Sequence, residues 1–255
     1  MRPYILAETS WKAVRETDWQ VAILPWGATE AHNTHLPYST DNIQLDHIAA
    51  ESACVAWNAG ARVIVLPTLP FGVNTGQLDI PLDINMMPST QQAVLNDIVH
   101  ALSCQGICKL VLLNGHGGNS FRQMIREAGV RQPDVFICEI NWFKTLDSFK
   151  YFVDPGDHGG ELETSLMLHI APQLVLPLAE AGEGKAREFR VQGLREGWVW
   201  AERNWSQVTS DTGVGSPAAA TAEKGQRFLE DLTSKIGDFL VELAACDHTN
   251  LYVQD

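Results

Sequence analysis

The runs VAIL (Val21–Leu24), VIVL (63–66) and LVLL (110–113) constrain this chain most. Each is apolar at consecutive positions, the pattern of a strand buried on both faces. A fourth strand is predicted at Val135–Ile140. Pro25 and Gly27 are expected to stop the first. Between the runs lie stretches of helical period. One starts at about Asn42, turns Leu45, Ile48, Ala49, Ser52 and Ala53 inward, and ends before Gly60. A second starts at Ser89, where Gln92 completes a capping-box pattern, with Val94, Ile98, Ala101 and Leu102 as its stripe. A third begins near Glu161 and carries Leu166, Met167 and Ile170. The last spans roughly Ala218 to Ala245, with Phe228, Leu232, Ile236, Leu240 and Leu243 on one face. Buried strands alternating with amphipathic helices predict an α/β fold whose mainly parallel sheet is covered on both faces. At 255 residues, one domain over 1–255 is expected. In such a fold ligands bind in the loops after the strands' carboxyl ends.

Net charge is −13, which argues against nucleic acid or anionic membrane as a partner. The opening MRPYILAETSWKAV has no apolar core of signal-peptide length, and no stretch has the length of a membrane span. Five scattered cysteines, with Cys104 and Cys108 in a C-x3-C spacing that fits no common zinc pattern, predict reduced thiols in a cytoplasmic protein.

The chemistry is expected where three loops follow strand ends. The first, WGATEAHNTHLPYSTDN, holds Glu30, His32, His35 and Asp41 with almost no Lys or Arg to balance them. The second, NGHGGN, pins His116 between Gly115 and Gly117; it lacks the G-x-G-x-x-G spacing of a dinucleotide loop. The third, DPGDHGGELETS, holds Asp157, His158, Glu161 and Glu163. Taken singly, His32 and His35 read as surface residues and the two glutamates as helix first-turn acids. Taken together at three strand ends, two imidazoles and three carboxylates suit a pair of first-row divalent ions sharing one carboxylate. The segment Leu178–Pro217, with Trp198, Trp200 and Trp205, reads as irregular: a lid, an oligomer contact, or chain packed onto the domain.

Glu-x-His-x-x-His-Leu-Pro followed by Asp, then Asn-Gly-His-Gly-Gly-Asn, then His-x-Gly-Glu-x-Glu-Thr-Ser, resembles the creatininase (creatinine amidohydrolase) family. The closing GVGSPAAATAEKG is similar to a further family segment, so the resemblance runs from Leu24 to Gly225. It implies a three-layer α/β/α sandwich, often a homohexamer, acting on a small-molecule substrate. It also implies two divalent ions, Zn and/or Mn with Fe as an alternative. Glu30 and His116 would hold one ion, His32 and Glu161 the other, and Asp41 would bridge them. His158 would be the acid/base residue. Creatininase proper has a glutamate two residues after the NGH histidine and a lysine where Glu161 stands; Gly118 and Glu161 reverse this. It also carries a tryptophan and a glutamate where this chain has Asp154 and Asp157. The segment GQLDIPLDINMMPST lacks the His and Pro-Gly-Thr common at this point in the family. Creatinine is therefore not the expected substrate.

The expected reaction is hydrolysis of a C–N bond in a small cyclic amide or formamide by a metal-bridged hydroxide. His158 would protonate the departing nitrogen. Asp157 would orient His158 or the water, or else only cap its loop. Glu163 and Thr164 are expected to support the ligands from behind. Two alternatives use the same residues: C–C hydrolysis of a keto-inositol or ring diketone, and metal-dependent sugar isomerisation. His35 is left between supporting the ligands and packing the loop.

Overall fold

Successive residues of a strand face opposite sides of its sheet, so a run apolar at every position needs a cover on each side. The computed structural model, which describes residues 2–253, supplies both. Its elements are β1 (Val21–Trp26), α1 (Thr40–Asn58), β2 (Val63–Val65), α2 (Pro88–Cys104), β3 (Lys109–Asn114), α3 (Arg122–Arg131), β4 (Phe136–Asn141), α4 (Glu161–Ile170) and α5 (Ala222–Ala245). The strands form one parallel sheet in the order β2-β1-β3-β4. Val21, Ile23, Val111 and Leu113 enter a core with α1, α4 and α5, through Leu45, Ile48, Leu166, Phe228, Leu232 and Ile236. Ala22, Leu24, Leu110 and Leu112 enter a second core with α2 and α3, through Leu95, Val99, Phe121 and Met124. The result is the expected three-layer α/β/α sandwich.

Local expectations are corrected at three elements. Pro25 does not end β1 but lies within it, opposite Leu113. The β2 ladder stops at Val65, before it reaches Pro25, so the donor that proline lacks has no ladder partner to miss. No capping box starts α2. Pro88 occupies its first turn, and Gln92 bonds Asn96 and the Met124 carbonyl instead. The buried stripe of α2 is Gln91, Leu95, Val99 and Leu102, with Val94 and Ile98 half-buried beside it. The last helix begins at Ala222, where the Thr221 side chain accepts from Lys224 N and caps it.

One stabilising contact has no sequence pattern. Lys109, buried at the start of β3, donates from Nζ to the carbonyls of Leu243 (2.8 Å), Ala244 (3.0 Å) and Cys246 (2.5 Å). A cation at a helix C-terminus satisfies carbonyls that have no intrahelical donor. Lys109→Met keeps most of the stem and loses the donors. It is expected to lower the unfolding free energy by about 2–3 kcal/mol, read by urea denaturation, with metal binding unchanged.

The segment after α4 contains two short helices, Gln192–Arg195 and Trp205–Val208. Pairs Thr75–Glu202 and Ser206–Asp79 fasten it to the loop after β2. Trp205 is buried, while Trp198 and Trp200 are exposed. No single helix among the described residues is long and apolar enough to cross a membrane.

Candidate metal centre

Because the sheet is parallel, the loops after β1, β3 and β4 leave it at one edge. The first folds back on itself: Glu30 N donates to Tyr38 O (3.1 Å), and His32 bridges Leu36. Asn33 at the tip has φ +55°, a left-handed turn that asparagine tolerates better than most residues. This turn separates the two histidines. His32 points into the cluster. His35 instead bonds Thr164 Oγ1 through Nε2 (2.9 Å), and burial pushes its pKa down to about 4, helped by the charge of His32. His35 therefore packs the loop.

In the second loop, Asn114 Oδ1 accepts from His116 N (3.1 Å) and from Asn119 Nδ2 (3.0 Å), fixing the turn from within. A Cβ at Gly115 would lie 2.5 Å from Leu45, and one at Gly118 would lie 2.3 Å from the Val73 carbonyl. Both positions require glycine for this close approach.

Glu30, His32, Asp41, His116 and His158 converge here, all buried. Asp41 sits in the first turn of α1 and divides its oxygens. Oδ1 is 2.9 Å from His32 Nε2 and Oδ2 is 3.3 Å from His116 Nδ1. Glu30 Oε1 is 2.8 Å from the same His116 nitrogen. Each imidazole faces a backbone carbonyl with its other nitrogen: His32 Nδ1 the Glu30 carbonyl (3.1 Å), His116 Nε2 that of Val73 (3.0 Å). Carbonyls only accept, so the N–H lies there, and His32 Nε2 and His116 Nδ1 are left as the ring positions facing the carboxylates.

Glu161 does not join the cluster. Its Oε2 accepts from the backbone N–H groups of Val153 and Asp154, both at 2.9 Å, and its Oε1 pairs with Lys224 Nζ at 2.5 Å. Glu163 stands there instead, with Oε1 3.9 Å from His32 Nε2 and Oε2 accepting from Gly159 N (2.6 Å). Two donor sets thus share Asp41: Glu30, Asp41 and His116 in one, His32, Asp41 and Glu163 in the other. Within each, the ligating atoms lie within 4.8 Å of one another. A third grouping joins Glu30 and His32 to His158. Glu30 Oε1, His32 Nε2 and Asp41 Oδ2 are buried without a hydrogen-bond partner, although opposite-type atoms crowd them. Such mutually close, unpartnered N and O donors fit divalent cations.

The electrostatics agree. Burial opposes charge on His32, but Asp41, with Glu163 and Glu30 behind it, raises its pKa to about 10. Burial likewise opposes charge on His116, and Glu30 and Asp41 again prevail, holding it well above 6.5. Glu30 is held well below the usual carboxylate range by His116, His158 and His32 against its own burial. Without cations, both imidazoles hold protons in the folded state at pH values where the unfolded chain has released them. The His32 contribution to stability is complete below about pH 6.5 and drains away as pH rises towards 10, and that of His116 falls in the same direction. Chelator-treated protein is therefore expected to lose Tm between pH 7 and 10, while zinc-loaded protein, in which these rings would be neutral ligands, loses less. Parallel thermal melts check this; equal losses would contradict it.

His158 stacks on His32 with ring centroids 4.0 Å apart, and the Trp205 ring meets it edge-on at 5.2 Å. Its Nε2 lies 2.7 Å from the Ala31 carbonyl, which leaves Nδ1, 3.9 Å from Glu30 Oε1, as the ring atom able to exchange a proton. Asp157 does not hold that ring. Its side chain is exposed and accepts from Arg203 Nη1 (2.7 Å). Glu30, Asp41, His116, His158 and Glu163 border a cleft of about 820 Å³, whose lining also includes Trp200 and Arg203. Spacing alone did not disclose Gln77, whose Nε2 donates to Glu30 Oε2 at 2.6 Å, or Lys224, although Lys224 lies in the closing GVGSPAAATAEKG segment.

Comparison with known proteins places this geometry. The family model for creatininase, described as creatinine amidohydrolase, matches residues 7–240. A mycofactocin precursor peptide peptidase from Mycobacterium ulcerans (strain Agy99) is 29% identical over 235 residues, covering 88% of this chain and 86% of that protein. A solved structure from Bacteroides fragilis NCTC 9343, provisionally assigned as a creatinine amidohydrolase, superposes with TM-score 0.92 at 43% identity. It covers 99% of this chain and 100% of that one. Creatininase solved in a manganese form has TM-score 0.77 at 25% identity, covering 95% and 99%. A zinc–zinc form of a creatininase mutant has TM-score 0.79 at 24%, with the same coverage, and speaks to the fold alone. With the family model spanning most of the chain and its motifs meeting in one buried cluster, this protein belongs to the creatininase family and is a metal-dependent amidohydrolase.

Proposed function

We propose that the protein hydrolyses a C–N bond in a small cyclic amide or formamide, using two divalent ions held around Asp41. The supporting observation is the single carboxylate shared by two donor sets, in which Glu30 Oε1, His32 Nε2 and Asp41 Oδ2 are buried without a hydrogen-bond partner. Zinc and/or manganese, with iron as an alternative, suits the mixed nitrogen and oxygen donors. Glu30, Asp41 and His116 would hold one ion, and His32, Asp41 and Glu163 the other. When bound, the pair supplies an activated water near neutral pH and positive charge for a developing oxyanion. The chain's own residues do the rest. Gln77 and the Ala31 carbonyl fix Glu30 and His158. His158 Nδ1 carries the proton that the departing nitrogen needs.

Amidohydrolase and peptidase, the activities in the relatives' names, are both C–N cleavages, which favours that reaction over C–C hydrolysis or isomerisation. A second reading places the amide on a short peptide. A cleft of about 820 Å³ exceeds the needs of one small ring, and the Mycobacterium ulcerans relative is a peptide peptidase. A cytoplasmic homohexamer remains our proposal for its setting; five free cysteines fit a reducing compartment.

Cyclic amides, formamides and short peptides are to be screened against metal-reconstituted protein in ¹⁸O-water. One label in the acid product is expected. Turnover without label would sink the hydrolytic reading, and metal content well below one equivalent after reconstitution would sink the metal centre.

A further inference from the structure

The segment between β2 and α2 places two buried amides, Asn74 and Gln77, in the lining of the cleft. Asn74 Nδ2 donates to the Ile84 carbonyl (3.2 Å), leaving its Oδ1 buried and unpartnered. Gln77 is 6% exposed, and its Nε2 donates to Glu30 Oε2 at 2.6 Å. A carboxylate oxygen accepts and the amide nitrogen donates, so this contact fixes which way the Gln77 amide faces. Gln77 Oε1 is then a true acceptor, buried and without a partner, in a residue that borders the cleft beside Glu30 and His116. Buried acceptors left unmade are unfavourable, and at a binding site the natural donor arrives with the ligand.

We propose that Gln77 determines specificity: its Oε1 accepts an N–H adjacent to the substrate carbonyl, while its Nε2 keeps Glu30 Oε1 turned to the ions. The enzyme then selects primary or secondary amides, or ureido groups that keep an N–H, and excludes tertiary amides, which have none. Asn74 Oδ1, in the same wall, offers a second acceptor to substrates with two such hydrogens. The inference rests on the amide-hydrolase reading above.

The test uses zinc-loaded protein and two probes, acetohydroxamic acid and N-methylacetohydroxamic acid, which differ only in carrying N–H or N–CH3. Calorimetric titration of wild type is expected to show the N–H form binding about tenfold or more tightly. In Gln77→Met the ratio is expected to fall close to one. A wild-type ratio near one overturns the proposal without any variant. A ratio that survives in zinc-loaded Gln77→Met also overturns it, because crowding rather than Gln77 then rejects the methyl group. Where Gln77→Met does not fold or load, Gln77→His takes its place. It keeps an N–H for Glu30 and a second nitrogen able to accept, so it should retain the preference, and loss of the preference counts against the proposal. Wild-type protein that takes up no zinc overturns the metal reading beneath it, a failure distinct from a zinc-loaded enzyme indifferent to the methyl group.

Discussion

Asp41→Ala is expected to empty both metal positions at once. Asp41 contributes one oxygen towards His32 and the other towards His116, so its loss is felt by both donor sets. Elemental analysis of the reconstituted variant should find metal near zero. Turnover should fall by at least about 10³-fold, the scale on which single electrostatic groups act at a reacting centre. His116→Ala and Glu163→Ala should each lose about one equivalent. Glu161→Gln is the informative contrast. It disturbs the pairing with Lys224 and the hold on the Val153 and Asp154 amides, so the fold should weaken while metal content stays unchanged. An Asp41→Ala protein that retains two ions would refute the shared-carboxylate arrangement.

His158→Ala should leave the metals in place and lower kcat by roughly 10²–10⁴-fold, the usual worth of a positioned acid/base. The ring is held for that role by three constraints: the Ala31 carbonyl at Nε2, His32 beneath it and Trp205 at its edge. Substrates with better leaving groups need less help from a proton and should suffer less. Metal loss in this variant would make His158 a ligand, as its grouping with Glu30 and His32 permits. Asp157→Asn, by contrast, should change kcat little, since Asp157 is paired with Arg203.

The sequence carried the sheet and its two covers because burial on both faces leaves an unambiguous trace: Val21 and Ala22 are both apolar yet face different cores. The three loops that meet in the buried cluster were legible for the related reason that strand ends set where chemistry collects. Glu161 and Glu163 were not separable. Two residues apart in a helix, their side chains point roughly 200° apart around the axis. Which one meets His32 depends on how α4 is rotated against the sheet, and composition does not encode that. Gln77 was invisible for a simpler reason. A neutral amide carries chemistry only through its neighbours, and its neighbour Glu30 lies in a different loop. Pro25 misled because the rule against proline in strands assumes a partner for the missing donor.

The parallel sheet has a kinetic consequence. β1 meets β3 only after α1, β2 and α2 have been threaded between them, as the pairing of Ala22 with Leu110 requires. Such distant contacts form slowly, because a long loop must close before they yield any gain. The ligands, drawn from positions 30 to 163, cannot assemble around an ion until that closure is complete. Bound metal should therefore act chiefly as a latch on the finished molecule, retarding its unfolding while doing little to hasten its formation.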